Sequence, residues 1–153
     1  MFDYLRLIVF RFAVAALLLS SCGPYRLVSA YDTVIDQGIS DFHTGVTTFV
    51  GKMAVVAGTP EGTYESNKSI YPEFNGQLAT LYMRAAQTSL NSITTEALKE
   101  VIGNVERLRL LHQSGGDKGL PDVLGKPALA AIDVQCESII KLEIAKKRGE
   151  EAE

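Results

Sequence analysis

The sequence predicts an all-α protein: an antiparallel up-and-down bundle of four helices, the second kinked or broken near Pro72. Three observations predict it. Apolar residues recur at alternating spacings of three and four along most of the chain, the period of a helix with one buried face. Caps and breakers divide those stripes into four segments joined by short connections. No two alternating runs flank an Asn-Gly or Asp-Gly turn, so strand signals are weak.

The first helix is predicted over residues 32–57. Ser29 followed by Asp32 has the spacing of a capping box, with Asp in place of Glu or Gln. Ile35, Ile39, Phe42, Val46, Phe49, Met53 and Val56 then form one seam. Gly38 and Gly45 flank it one heptad apart, where missing side chains would admit a neighbouring helix. Gly58-Thr59-Pro60 ends the helix, and Thr59 with Pro60 opens the second. Its stripe holds Tyr64, Tyr71, Phe74, Leu78, Leu81, Tyr82 and Ala85. Pro72 lies within that stripe's span but opposite its face, so a kink with the proline toward water is the first reading. A break near Ser69 with a restart at Pro72 is the alternative.

The third helix is predicted to start at a Thr94 cap, with Glu96 in its first turn and Ile93 stapled to Leu98. Val101, Ile102, Val105 and Leu108 continue its stripe to Ser114-Gly115-Gly116. A glycine-rich loop follows over residues 115–126, with Leu120, Val123 and Leu124 covering one end of the core. Pro127 is predicted to open the fourth helix, whose apolar face is Leu129, Ile132, Cys136, Ile139 and Ile140. Glu137–Lys141 and Glu143–Lys147 are favourable pairs four residues apart. Lys146, Lys147 and Arg148 suit the negative helix end, and Gly149 ends it, leaving residues 150–153 as a frayed acidic tail.

The chain is 153 residues long, which predicts one domain. Two Cys and two His exclude a disulfide framework, a zinc ribbon and a multi-haem protein. A net charge of −3 argues against a nucleic-acid partner, which would require a basic surplus. No His-x-x-x-His, Glu-x-x-His or Cys-x-x-Cys-His pattern is present, so no metal or cofactor is expected. His43 reads as a solvated helix residue. His112 falls on the third helix's seam in its last turn, placed to cap carbonyls or to sit partly buried. Cys136 reads as a core residue, without a basic neighbour to activate it. Gly115-Gly116-Asp117-Lys118-Gly119 lacks the spacing and preceding strand of a phosphate loop and reads as a connector.

Residues 1–21 have the plan of an export signal. Arg6 and Arg11 make the start basic, residues 12–19 are apolar, and Ser20 and Ser21 are small. The apolar run is too short to span a bilayer, which needs about 20 residues. Leu19-Ser20-Ser21-Cys22 resembles a bacterial lipobox. That resemblance implies cleavage before Cys22, diacylglyceryl attachment to its thiol and acylation of the new amine. More than one acyl chain gives stable anchoring, at about 0.8 kcal/mol per buried methylene. Gly23, rather than Asp, after the cysteine resembles the outer-membrane sorting pattern of Gram-negative lipoproteins. Cleavage would remove two basic residues and one acidic, moving the net charge from −3 to −4. Residues 22–30 would then form a lipidated tether to a bundle of residues 31–149.

The mature part is also similar to small helical envelope lipoproteins, through Tyr31-Asp32-Thr33-Val34-Ile35-Asp36 and Lys141-Leu142-Glu143-Ile144-Ala145-Lys146-Lys147-Arg148-Gly149. The likeness implies helices and an envelope location, without an activity. The functional expectation is a non-enzymatic, membrane-tethered bundle facing the periplasm from the outer membrane and binding another envelope protein. The alternative is a small-ligand carrier or sensor with a pocket inside the bundle. Tyr64, Tyr71 and Tyr82, with Leu110 off the third helix's seam, are the candidate ligand or partner surface.

Overall fold

The fold is described from a computed structural model for residues 27–152. These residues are all-helical, with no strand among them. Helix α1 is Thr33–Val55, α2 is the single turn Tyr64–Asn67, α3 is Ile70–Gln87, α4 is Ser92–Ser114 and α5 is Asp122–Glu151. Short 3₁₀ turns at Pro60–Gly62 and Gly116–Lys118 lie in the two longest connections. The signal segment and Cys22 lie outside the described residues.

Each long helix buries one seam. In α1 the buried residues are Ile35, Ile39, Phe42, Val46, Phe49, Val50 and Met53: the predicted seam gains Val50 and lacks Val56, which is half-buried. In α3 they are Tyr71, Phe74, Leu78, Leu81 and Ala85. Helix α4 buries Thr94, Leu98, Val101, Val105, Leu108 and His112, and α5 buries Ile132, Cys136, Ile139, Glu143 and Lys146. All four share one core, since α1 and α4 each pack against both α3 and α5. Full burial of each large aliphatic or aromatic side chain contributes about 1.5–3 kcal/mol.

Several boundaries differ from those predicted. Asp32, not Ser29, caps α1: its carboxylate accepts from the Val34 and Ile35 amides. Ser29 is committed elsewhere, its Oγ donating to Asn91 Oδ1 at 2.9 Å and its amide to the Leu90 carbonyl at 3.0 Å. The second predicted helix is broken at Lys68 and Ser69, so Pro72 sits in the first turn of α3 and not in a kink. There its absent N–H removes no intrahelical bond, and it faces solvent.

Helix α4 begins at Ser92, with Asn91 in the cap position. Thr94 therefore points into the core and Ile93 is 62% exposed, which rules out the Thr94 cap and the Ile93–Leu98 staple. Helix α5 begins five residues before Pro127, because the Leu124 and Gly125 amides already bond the Pro121 carbonyl. Pro127 withholds a donor from the Val123 carbonyl alone. Of the loop's apolar residues, Leu120 is buried and Leu124 packs on the core, but Val123 is exposed. The helix also runs through Gly149 to Glu151: Glu150 Oε1 accepts from the Tyr31 amide at 2.9 Å and ties the last turn down.

Of the two flanking glycines, Gly38 is the close approach. A Cβ there would lie 2.6 Å from Leu81 Cδ2, whereas one on Gly45 would meet Phe74 at an ordinary 3.6 Å.

Candidate functional site

The described residues hold two buried polar constellations, at opposite ends of the helices. The first is built on Lys146. Its position continues the α5 seam: Leu129, Ile132, Cys136, Ile139, Glu143 and Lys146 keep the three–four spacing. That register carries an acid and a base onto the buried face. Lys146 Nζ donates to Glu143 Oε1 at 2.6 Å, Asn91 Oδ1 at 2.9 Å and Thr94 Oγ1 at 3.3 Å, using all three of its protons. Glu143 Oε2 accepts from the Asp32 amide at 3.1 Å. The predicted Glu143–Lys147 pair does not form. Lys147 instead places Nζ 5.7 Å from the Tyr31 ring centre.

Asp32 links this cluster to α3, because Arg84 Nε donates to its Oδ2 at 2.6 Å. Partial burial pushes the Asp32 carboxyl upward. The Arg84 bond and the two amide bonds outweigh it and hold the group below the usual carboxylate value.

The second constellation surrounds His112, which is fully buried. Its Nε2 lies 2.9 Å from the Gly62 carbonyl oxygen, and its Nδ1 lies 2.8 Å from Tyr71 Oη. A carbonyl can only accept, so Nε2 carries the proton and donates. Nδ1 is then the acceptor for the Tyr71 hydroxyl. Burial, reinforced by Tyr64, pushes the Tyr71 phenol above its ordinary value and keeps that hydroxyl a donor. Phe49 meets Tyr71 edge-on at 5.6 Å, and Tyr64 stacks on Tyr71 at 5.9 Å. Arg109 Nη1 donates to Tyr64 Oη at 3.2 Å and to Gln113 Oε1 at 3.0 Å, while Nε and Nη2 hold Glu106.

Beside this cluster lies a surface cleft of about 470 Å³, lined by Tyr64, Tyr71, Pro72, Asn75, Glu106 and Arg109 among others. Asn75 Oδ1 is buried there without a hydrogen-bond partner. Among the described residues, no group of three or more His, Cys, Asp or Glu is placed to hold a metal ion. None of their helices is long and apolar enough to cross a membrane.

The four residues of the predicted surface are divided. Tyr64 and Tyr71 come together, but Tyr71 is buried and its hydroxyl is engaged by His112. Tyr82 lies apart, under Lys99 Nζ at 6.0 Å from its ring centre. Leu110 is 48% exposed, next to Arg107 and Leu111. Cys22 lies outside the described residues. His43 is more than a solvated residue: its Nε2 is 2.7 Å from Asp133 Oδ1, joining α1 to α5. Cys136 is fully buried, and burial, with a smaller contribution from Asp133, pushes its thiol up to about 12. A thiol so placed stays protonated and unreactive at neutral pH.

Sequence reasoning missed Glu143, Lys146 and Asn91 as a buried cluster, and Asn75 and Arg109 as cleft residues. For the first group the signal was present, since the seam spacing runs on through Glu143 and Lys146. For the cleft no local signal existed, because its walls come from α2, α3 and α4. No protein-family model matches the chain, and no curated protein or solved structure matches it either.

Proposed function

We propose that this chain is a lipid-anchored, non-enzymatic helical module of the bacterial envelope that binds another envelope protein. The observation that carries the reading is Leu19-Ser20-Ser21-Cys22 directly after the apolar run of residues 12–19. Gly23 favours outer-membrane sorting, with the domain facing the periplasm. The three acyl chains that such processing supplies hold a domain stably at a membrane without a spanning helix.

The domain is proposed to be an antiparallel up-and-down four-helix bundle. Contacts at one end support this, between the start of α1 and the ends of α3 and α5: Asp32 with Arg84, Tyr31 with Glu150. At the other end, Tyr71 in the first turn of α3 meets His112 in the last turn of α4. The 3.5-residue period of the buried seams favours the shallow crossing of such bundles.

The test has two parts. Cys22→Ala abolishes incorporation of a fatty-acid probe and releases or mis-sorts the protein. Cross-linking of the lipidated protein in mild detergent, followed by mass spectrometry, recovers a specific envelope protein. Unchanged labelling would reject the anchor, and recovery of no specific partner would reject the binding role.

A second reading, a small-ligand carrier or sensor, is favoured by one feature: the unpartnered Asn75 Oδ1 in the cleft beside Tyr64 and Arg109. A thermal shift with envelope metabolites or lipids that disappears in Asn75→Ala supports it. No shift across such a panel would sink it.

A further inference from the structure

We propose that the end of the domain where the chain enters is a membrane-contact rim, seated on the lipid surface through Leu27, Leu90 and Ile93. These side chains are 78%, 56% and 62% exposed. The tie between Ser29 and the Leu90–Asn91 corner places their segments at the same end of the domain, and Ile93 follows in the first turn of α4. Val34, 46% exposed in the first turn of α1, extends the rim.

Leu90 is the informative residue. Its φ is +61°, and it is the one non-glycine residue with positive φ among those described. That conformation costs a side chain with a Cβ about 1–2 kcal/mol, and Gly or Asn would adopt it more cheaply. Burial offsets only part of this cost, because Leu90 remains 56% exposed. An apolar residue that is both strained and exposed is suited to a contact outside the domain.

The occupant is fixed by where the chain comes from. Leu27 is five residues after Cys22, a reach of at most about 18 Å for an extended chain. Ser29 is buried, so this segment meets the domain at the rim and not at the His112 end. A lipid on Cys22 therefore brings this end to the bilayer first. Two of the ion pairs at this end are internal or half-covered: Glu143 with Lys146 is buried, and Asp32 with Arg84 is partly so. Exposed Lys147 and Arg148 at the same end are matched by exposed Glu150 and Glu151, so the apolar side chains and not net charge carry the contact.

The orientation rests on the lipid-anchor reading, and the test separates the two. The chain contains no tryptophan, so one introduced residue is the sole indole emitter. Leu90→Trp, Ile93→Trp and, as a control at the other end, Val123→Trp are made in the full chain. Each is purified from membranes and reconstituted into phosphatidylethanolamine–phosphatidylglycerol vesicles with brominated acyl chains. Circular dichroism verifies the fold, and intact mass reports acylation of Cys22. Tryptophan at 90 and at 93 is expected to be blue-shifted and quenched several-fold more than at 123.

Acylated, vesicle-bound protein with no quenching at 90 and 93, or with equal quenching at 123, overturns the rim and leaves the anchor standing. Quenching at 90 and 93 with unmodified Cys22 supports the rim and overturns the anchor. Unmodified Cys22 with no quenching overturns both.

Discussion

Lys146 Nζ lies 2.6 Å from Glu143 Oε1, with both side chains almost wholly withdrawn from solvent. Isolated, either charge would be expensive at that depth. Together they are tolerated because Asn91, Thr94 and the Asp32 amide complete their hydrogen bonds. Lys146→Met leaves Glu143 as an uncompensated buried charge and is expected to cost about 3–5 kcal/mol. Adding Glu143→Gln removes that charge, so the double variant should be clearly more stable than the sum of the two single losses. Urea unfolding of the four proteins measures the coupling.

The seams were legible in the sequence, and the chemistry at their ends was not. Ile35 through Met53 and Leu98 through His112 can be assigned to buried faces from spacing alone. The same spacing runs on to Glu143 and Lys146, but their charge argues for solvent and suits Lys146 to the helix end, so the sequence does not mark them as buried. Their burial depends on Asn91, some 50 residues earlier in sequence, which no local pattern announces. Thr94 was misread for a related reason: a hydroxyl next to a helix start resembles a cap until an inward partner is known. Pro72 allows a kink or a break, and the structure has the break, at Lys68 and Ser69. The cleft at Asn75 was hidden because it forms between elements, not along one.

Asp32 should make stability sensitive to acid. Its carboxyl is held below its ordinary value in the folded chain. The stabilisation is therefore complete above the ordinary carboxylate range and is lost as pH falls through the depressed value. Arg84→Met removes the largest contribution that lowers the group, so thermal unfolding across acidic pH should show a smaller acid-dependent loss for that variant.

Tyr71→Phe is expected to destabilise the fold by about 1–3 kcal/mol, because it leaves the buried His112 Nδ1 without its donor. His112→Ala should cost more, since it also orphans the Gly62 carbonyl and opens a cavity among Phe49, Tyr64 and Tyr71. Denaturant midpoints of the two variants give the comparison.

Glycines should separate by place. Gly119 has φ +62°, and a Cβ there would fall 2.2 Å from the Gly62 carbonyl oxygen, the acceptor of His112. Gly119→Ala should be strongly destabilising. Gly51 is an exposed position inside α1 with nothing within 4 Å of its Cβ site, so Gly51→Ala should gain about 0.5–1 kcal/mol. Thermal unfolding distinguishes the two signs.

Cys136 should resist thiol reagents in the folded protein and react once urea unfolds it. Its thiol is raised from about 9 to about 12 by burial. The associated stability is intact below about 9 and declines as pH rises toward 12. Cys136→Ala should remove that alkaline component in a stability–pH series.

The anchor can be read in one measurement, the mass of the N-terminal peptide of the protein isolated from bacterial membranes. The account predicts a chain beginning at Cys22, with a diacylglyceryl group on its thiol and an acyl group on its amine. A chain that begins at Met1, or a Cys22 with its thiol unmodified, would contradict it.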